Sequence, residues 1–116
     1  MQKKYRLAKR EHFSQVFRFG QSVANYQFVL YSRKNANIEE FRLGVSVSKK
    51  LGNAVVRNKL RRRMKEIVRH HREQIAGGYD LILIARKPVA DMTYQQMEKS
   101  VLHIIRKASL WKPKKR

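Results

Sequence analysis

The stretch that decides the fold runs from Gly44 to Glu73 and reads GVSVSKKLGNAVVRNKLRRRMKEIVRHHRE. Its first residues alternate as a short strand does, a turn follows at 51–53, and the remainder has helical periodicity with Asn53 as a suitable N-cap. At about 100° per residue, one side of this helix gathers the core-forming side chains Val56, Leu60, Met64, Ile67 and His71. The adjoining arc consists of Arg57, Asn58, Arg61, Arg62, Lys65, Arg69 and Arg72. The helix therefore offers one face to a core and another to anions.

The basic arc differs from an ordinary solvated helix surface. Ten of the chain's 28 Lys and Arg residues lie in the opening stretch, against the two acids Glu66 and Glu73. Solvated helices usually mix charges, because like charges at i and i+4 cost about 0.2 to 0.5 kcal/mol per pair. Here positions 57, 61, 65 and 69, each four residues from the next, are all basic. A polyanion lying between these side chains would remove the repulsion, so the pattern favours a polyanionic partner.

Composition narrows the class of protein. The chain has 116 residues without an internal repeat, which predicts one domain over 1–116, with basic tails at 1–8 and 112–116 expected to be flexible. A formal charge of +20 implies nucleic acid, an anionic membrane or an acidic protein as partner. The sequence contains no membrane-spanning run and no signal peptide, so we expect a cytoplasmic protein. It has no cysteine, and its four histidines lack metal-ligand spacing, so we expect no protein-held metal.

The remaining segments predict a small α+β domain. In order, they are a helix over 9–19 ended by Gly20, a strand over 25–33, a hairpin loop over 34–40, a strand over 41–48, the basic helix ending near 75–76, a strand over 79–86, and a helix capped by Thr93 and Gln96. The order is α-β-β-(β)-α-β-α, in which one strand is left open. Because a strand, a long helix and a strand form a crossover, the last strand should run parallel to an earlier one. The prediction is a two-layer α/β sandwich, a small mixed sheet with helices packed mainly on one face.

A family resemblance covers nearly the whole chain. At SVSKKLGNAVVRNKLRRR, with SVANYQFVLYS upstream and LILIARKP downstream, the sequence closely resembles the protein subunit of bacterial ribonuclease P, from Phe13 to about Leu110. The segment GNAVVRNKLRR is similar to the family's Arg-Asn-Arg motif region. Lys59 stands where the second arginine is often found, so a forked contact there becomes a single-point contact. The resemblance also implies a left-handed crossover, against the usual right-handed rule.

The resemblance implies a function and its partners. The family's protein joins a large catalytic RNA, and the complex removes the 5′ leader from precursor tRNA. Mg²⁺ ions held by the RNA perform the hydrolysis, while the protein contacts the leader and helps substrate and metal binding. We therefore expect an accessory subunit of an endoribonuclease, without catalytic residues of its own, an organic cofactor or an obligate protein partner.

The resemblance also assigns residues. The cleft that binds the single-stranded leader would be lined by Phe13, Phe17 and Tyr31. The catalytic RNA would face the basic helix, through Arg57, Asn58, Lys59, Arg61, Arg62 and Lys65, and the strand exit, through Lys49 and Lys50. Each assignment has a plainer alternative. The three rings are equally suited to a core by their spacing alone, and the Asn58 amide can simply bond nearby backbone or water.

Three other functions stay open at this point. In the first, the polypeptide is itself a nuclease, but His70 and His71 are adjacent and project about 100° apart on a helix. No paired carboxylates for two metal ions are visible either. In the second, the chain is an RNA-binding or ribosomal-type protein of similar fold without a processing role. In the third, it binds duplex DNA, although no helix-turn-helix spacing or dimer element is recognisable.

Overall fold

The structure, a computed structural model, describes residues 2–112. Its helices are α1 (Arg10–Phe19), α2 (Ala54–His70) and α3 (Tyr94–Lys107), and its strands are β1 (Gln21–Ala24), β2 (Phe28–Lys34), β3 (Arg42–Val47) and β4 (Tyr79–Ala85). Short 3-10 turns lie at Lys3–Tyr5, Lys49–Leu51, Arg72–Gln74 and Lys87–Asp91. The predicted order is confirmed, with three strands ahead of α2. β1 has four mostly exposed residues, and the sequence pattern does not locate it.

The four strands form one mixed sheet in the order β1-β2-β4-β3. β2 pairs antiparallel with β1 and with β4, whereas β3 pairs parallel with β4. The predicted parallel pairing is confirmed, but residues 34–40 are not a hairpin loop, because β4 lies between β2 and β3. Leu81, Ile82 and Leu83 are buried on both faces of β4, so a central position removes the most apolar surface from water. The left hand of the β3-α2-β4 crossover stays a prediction.

The helices pack mainly on one face, as predicted. α2 and α3 cover the face that carries Phe28, Leu30, Leu43, Leu81 and Leu83, and their own contributions to this main core are Leu60, Met64, Ile67, Met97, Val101, Ile104 and Ile105. α1 lies on the opposite face, where Val16 is fully buried in a smaller cluster with Leu7 and Ile82. The α+β class is confirmed, and α1 stands apart from the other two helices.

The N-terminal residues differ from the expectation of a flexible basic tail over 1–8. Tyr5 and Leu7 are only 8% and 3% exposed, and the Leu7 N–H donates to the Leu43 carbonyl over 3.0 Å. These two apolar side chains anchor a segment whose neighbours are basic, and the segment covers the outer edge of β3. At the other end, the Lys112 N–H donates to the Gln74 carbonyl. The rest of the predicted tail, 113–116, and Met1 lie outside the described residues.

The predicted helix caps are present, while the end of α2 differs. The Asn53 side chain accepts from the Val56 N–H over 3.0 Å, and Thr93 and Gln96 form the reciprocal capping box at α3. α2 ends at His70 rather than near 75–76. The chain tightens into the 3-10 turn after it, which places Ile75 in a backbone bridge with Trp111. Pairing with the C-terminal segment competes here with continuation of the helix.

Candidate nucleic-acid interface

The basic arc of α2 forms an open groove on the protein surface. The groove has a volume of about 430 Å³ and is lined by Asn58, Arg61, Arg62, Lys65, Glu66 and Arg69. On the other side of the helix, Leu60, Met64 and Ile67 are buried in the main core. The two-faced helix that the sequence predicts is therefore present, and packing fixes the direction in which the basic side chains project.

Within this groove, Asn58 orients a charged neighbour. Its side-chain oxygen accepts from Arg61 Nη1 over 2.7 Å, so the amide holds the guanidinium in place rather than bonding the backbone. Lys59, Lys49 and Lys50 are exposed at or near the start of α2. Arg57 differs from these residues, because it is half-buried and its Nε has no hydrogen-bond partner among residues 2–112. The predicted set therefore consists of five exposed residues and three half-buried ones, namely Arg57, Arg61 and Lys65.

Glu66 interrupts the positive surface at one point. Its carboxylate lies 3.8 Å from His70 Nε2, and both side chains are about half exposed. A pair at such a site contributes little to stability, because water and salt screen it. The four basic residues at 57, 61, 65 and 69, here called the like-charge ladder, therefore keep most of their mutual repulsion in the absence of an anion.

The three predicted cleft residues lie together between α1 and the sheet, but they differ in exposure. The Phe17 and Tyr31 rings meet edge to face with their centroids 4.9 Å apart, and Phe17 is 45% exposed. Phe13 lies deeper and packs over Gly44, where any added Cβ would clash with the Phe13 ring. Phe17 thus presents an open aromatic surface, and the half-buried rings of Tyr31 and Phe13 support it.

The floor of the cleft is the face of the sheet that α1 covers only in part. One row across the strands, formed by Tyr31, Ile82 and Gly44, lies against α1. The next row consists of Val29, Ile84 and Ser46, and none of these three is fully buried. Three adjacent strands span about 10 Å, which is a suitable width for an extended single strand to lie along α1.

Three residues without a predicted role, namely Phe19, Arg18 and Arg33, extend this surface. Phe19 is 62% exposed, and the guanidinium carbons of Arg18 and Arg33 lie 5.3 and 5.5 Å from its ring centroid. An exposed ring flanked by two cations suits a nucleotide, because stacking and charge neutralisation act together. The sequence signal that could have identified Phe19 is its position directly before the helix-ending Gly20. The pairing with Arg33 depends on the docking of α1 on β2.

Asp80 is committed to the fold rather than free for chemistry. It lies in β4, not in a turn, and Arg42 donates to both of its carboxylate oxygens over 2.7 and 2.9 Å. Asn35 Nδ2 adds a third hydrogen bond of 3.1 Å. The hydrogen bond to Asp80 raises the pKa of Arg42 above its usual value. This buried pair locks the parallel register of β3 and β4, in which the two residues are partners.

Residues 2–112 contain neither a cluster of metal-binding side chains nor a helix suited to a membrane. Within this range, no three His, Cys, Asp or Glu side chains come together in a group that could hold a metal ion. Over the same residues, no helix combines the length and apolar character that a membrane crossing requires.

The fold and this surface together define a class of protein, namely small, strongly basic α+β proteins with a cationic helix and an aromatic cleft. The sequence model of the Ribonuclease P family matches residues 1–109. The chain therefore belongs to the ribonuclease P protein family, the protein part of a ribonucleoprotein nuclease of tRNA processing.

Individual relatives agree with this assignment. The ribonuclease P protein component of Geobacillus thermodenitrificans (strain NG80-2) is 49% identical over 108 residues, which cover 93% of this chain and 89% of that protein. The component from Bacillus cereus (strain B4264) is 44% identical over 115 residues, covering 99% and 100%. The solved structure of the Staphylococcus aureus RNase P protein superposes with a TM-score of 0.87 at 46% identity, covering 92% of this chain and 97% of that one.

Proposed function

We propose that this protein joins a catalytic RNA to form ribonuclease P and binds the single-stranded 5′ leader of precursor tRNA in the cleft beside α1. The observation that carries the proposal is the exposed Phe17 ring, packed on the half-buried Tyr31 ring above an open row of the sheet. Extended single strands bind to such aromatic platforms, and each stacked base contributes about 1 to 3 kcal/mol. The leader is the unpaired part of the substrate, so it suits this cleft.

The basic groove of α2 is assigned to the RNA subunit in the same proposal. Arg61 and Arg62 are suited to forked phosphate contacts, whereas Lys59 and Lys65 act as point charges. Lys49 and Lys50 add charge at the start of the helix. Support comes from the orientation of Arg61 by Asn58 and from the like-charge ladder, whose repulsion a phosphate backbone relieves.

The division of labour assigns no bond-breaking step to the polypeptide. Mg²⁺ ions held by the RNA subunit would perform the hydrolysis that releases the leader, in the cytoplasm. This chain would raise the affinity for substrate and for Mg²⁺ by bringing positive charge and the leader together near the cleavage site. Asp80 is unsuited to a catalytic role, because Arg42 and Asn35 occupy its oxygens.

Reconstitution tests the proposal directly. The purified chain is added to a bacterial ribonuclease P RNA at low Mg²⁺, and cleavage of precursor tRNA is followed with long and one-nucleotide leaders. We expect the protein to stimulate cleavage at the mature 5′ junction and to lower the Mg²⁺ requirement, with a larger effect on the long leader. Absence of stimulation would favour an RNA-binding protein without a processing role. Correct cleavage by the polypeptide alone would refute the division of labour.

A replacement series separates this proposal from protein-borne catalysis. Alanine at His12, His70, His71 or His103 should leave the single-turnover rate of the assembled enzyme within a few fold. His70 lies 3.8 Å from Glu66 and His71 lies 3.3 Å from Glu98, but neither pair has a third acidic or histidine side chain grouped with it in residues 2–112. A loss of several orders of magnitude for any one of them would assign the chemistry to the protein.

A further inference from the structure

A second groove lies on the other side of the molecule, between the β1–β2 turn and α3. Its volume is about 590 Å³, and its lining includes Tyr26, Gln27, Met92, Lys99 and His103. Tyr26 is 72% exposed, more than any other large hydrophobic side chain of the described residues except Val55. α3 packs on the sheet face opposite α1, so this groove is separate from the cleft described above.

The groove is held in shape by a network around Asn25. The Asn25 Oδ1 atom accepts from the backbone N–H groups of Gln27 and Phe28, over 3.0 and 2.7 Å. Its Nδ2 group therefore donates, and it reaches the Ser100 carbonyl, Ser100 Oγ and His103 Nδ1 at 3.1 to 3.2 Å. Ser100 Oγ in turn donates to Gln27 Oε1 over 2.9 Å. A fully bonded network of this kind fixes the surrounding side chains before any ligand arrives.

This network leaves donors facing the groove. Because His103 Nδ1 accepts from Asn25, the neutral ring carries its proton on Nε2. Gln27 accepts through its oxygen, so its NH₂ group has no partner among residues 2–112. Gln96 likewise accepts through its oxygen from the Thr93 N–H and keeps its NH₂ group. With the Lys99 ammonium, these groups form a donor set beside an exposed aromatic ring and the Met92 thioether.

We infer that this groove binds an unpaired RNA nucleotide, distinct from the leader bound beside α1. Tyr26 supplies a stacking face, Gln27 and His103 donate to acceptor atoms on the base edge, and Lys99 pairs with the phosphate. A net charge of +20 and membership of a ribonucleoprotein family favour RNA over an acidic peptide as the occupant. The site is also close to the proposed RNA-facing surface, since the 3-10 turn 87–91 that precedes Met92 contacts both α2 and the Lys49–Leu51 turn.

The nucleotide has two possible sources, the RNA subunit and the precursor tRNA. Tyr26→Ala in the full chain distinguishes them, because the side chain is exposed and its removal spares the core. We measure the affinity of the protein for the RNA subunit, then the affinity of the assembled enzyme for precursor tRNA. A loss of roughly 5- to 150-fold is expected in one of the two, as for the removal of one stacked base. A loss in the first assigns the nucleotide to the RNA subunit, and a loss only in the second assigns it to the substrate.

Two matched variants control this experiment. Tyr26→Trp retains a stacking face and should restore the affinity. Gln95→Ala changes an exposed residue of α3 that does not line the groove, and it should leave both affinities within twofold. Unchanged affinities for Tyr26→Ala in both measurements overturn the inference. The inference is also overturned if Tyr26→Ala reduces only the self-association of the protein, measured by sedimentation, because the groove would then bind a second copy of the chain.

Binding of a free nucleotide gives an independent readout. Adenosine 5′-monophosphate titrated into the ¹⁵N-labelled protein should shift the amide signals of Tyr26, Gln27, Lys99 and His103, and these shifts should disappear in Tyr26→Ala. They should persist in Phe17→Ala, which changes the leader cleft, so failure of the two sites can be told apart. Inorganic phosphate alone should shift Lys99 but not Gln27. Shifts confined to the Phe17 cleft overturn the inference.

Discussion

Replacing Phe17 or Arg61 by alanine should weaken two different steps. Phe17 is 45% exposed and touches Tyr31 edge to face, so its loss removes a stacking surface while sparing most of the core. For one stacked base, the cost is about 1 to 3 kcal/mol, which corresponds to a 5- to 150-fold weaker interaction with the leader. Arg61 lies in the basic groove and should neutralise about one phosphate. Its loss should flatten the log-log salt slope by about 0.7 to 0.9.

The assay measures two kinds of dissociation constant over a fourfold range of salt. The first describes the protein with the RNA subunit, and the second describes the assembled enzyme with precursor tRNA that carries a long or a one-nucleotide leader. Each neutralised phosphate makes binding about threefold weaker over that range, so Arg61→Ala should lose less affinity at high salt than at low salt. Phe17→Ala should weaken only the long-leader substrate, by the same factor at every salt concentration.

Conservative variants complete the design. Arg61→Lys keeps the charge and loses the fork, so it should retain the salt slope while lowering the affinity. Phe17→Trp keeps a stacking face and should retain the preference for the long leader. If Phe17→Ala and Arg61→Ala weaken the same complex with the same salt dependence, the separation between an RNA-facing helix and a leader-facing cleft is wrong.

The remaining predictions concern stability and the position of α1. Asp80→Asn should lower the free energy of unfolding, measured in urea, by about 3 to 5 kcal/mol, because it leaves the largely buried Arg42 charge unpaired. The double replacement of Asp80 by Leu and Arg42 by Met should recover most of this loss. Gly44→Ala should lower the free energy of unfolding by about 1 to 3 kcal/mol and weaken leader binding, because the new methyl group displaces Phe13 under α1. Unaltered leader binding would contradict this. Tyr94→Phe should stabilise the protein by about 1 kcal/mol or more at neutral pH, because the Tyr94 hydroxyl is buried without a partner in residues 2–112. Burial raises the pKa of Tyr94, and the neighbouring Glu66 and Glu98 raise it further. The wild type should therefore lose stability above about pH 10, where the Tyr94 phenol ionises in the unfolded chain but stays neutral in the folded one. The same alkaline stability profile in Tyr94→Phe would refute this.

Local signals in the sequence predicted the helices well. The Asn53 cap, the Thr93–Gln96 capping box and the apolar stripe of α2 depend on contacts between residues close in the chain, so the pattern alone contains them. The family resemblance then supplied the cleft residues, of which Phe17 and Tyr31 meet in the structure.

Features that depend on distant pairing were missed. A loop rich in turn formers at 34–40 predicts a hairpin, yet β4 inserts between the strands that it joins, and only its burial on both faces decides that position. Asp80 meets Arg42 through the parallel register of two strands, and no spacing along the chain indicates this pair. Tyr5 and Leu7 lie among basic residues, so the charge pattern concealed two anchors of the core.

The position of β4 also governs when the protein can form during translation. β2 and β3 both pair with β4 and not with each other, although they leave the ribosome well before it. Until residues 79–85 emerge, both nascent strands keep an unpaired backbone edge, and the sheet lacks its middle strand. The cleft, whose floor includes Ile82 and Ile84 of β4, thus cannot be complete before this strand emerges, and we expect a nascent chain stalled before Tyr79 to contain at most the β1–β2 pair of the sheet.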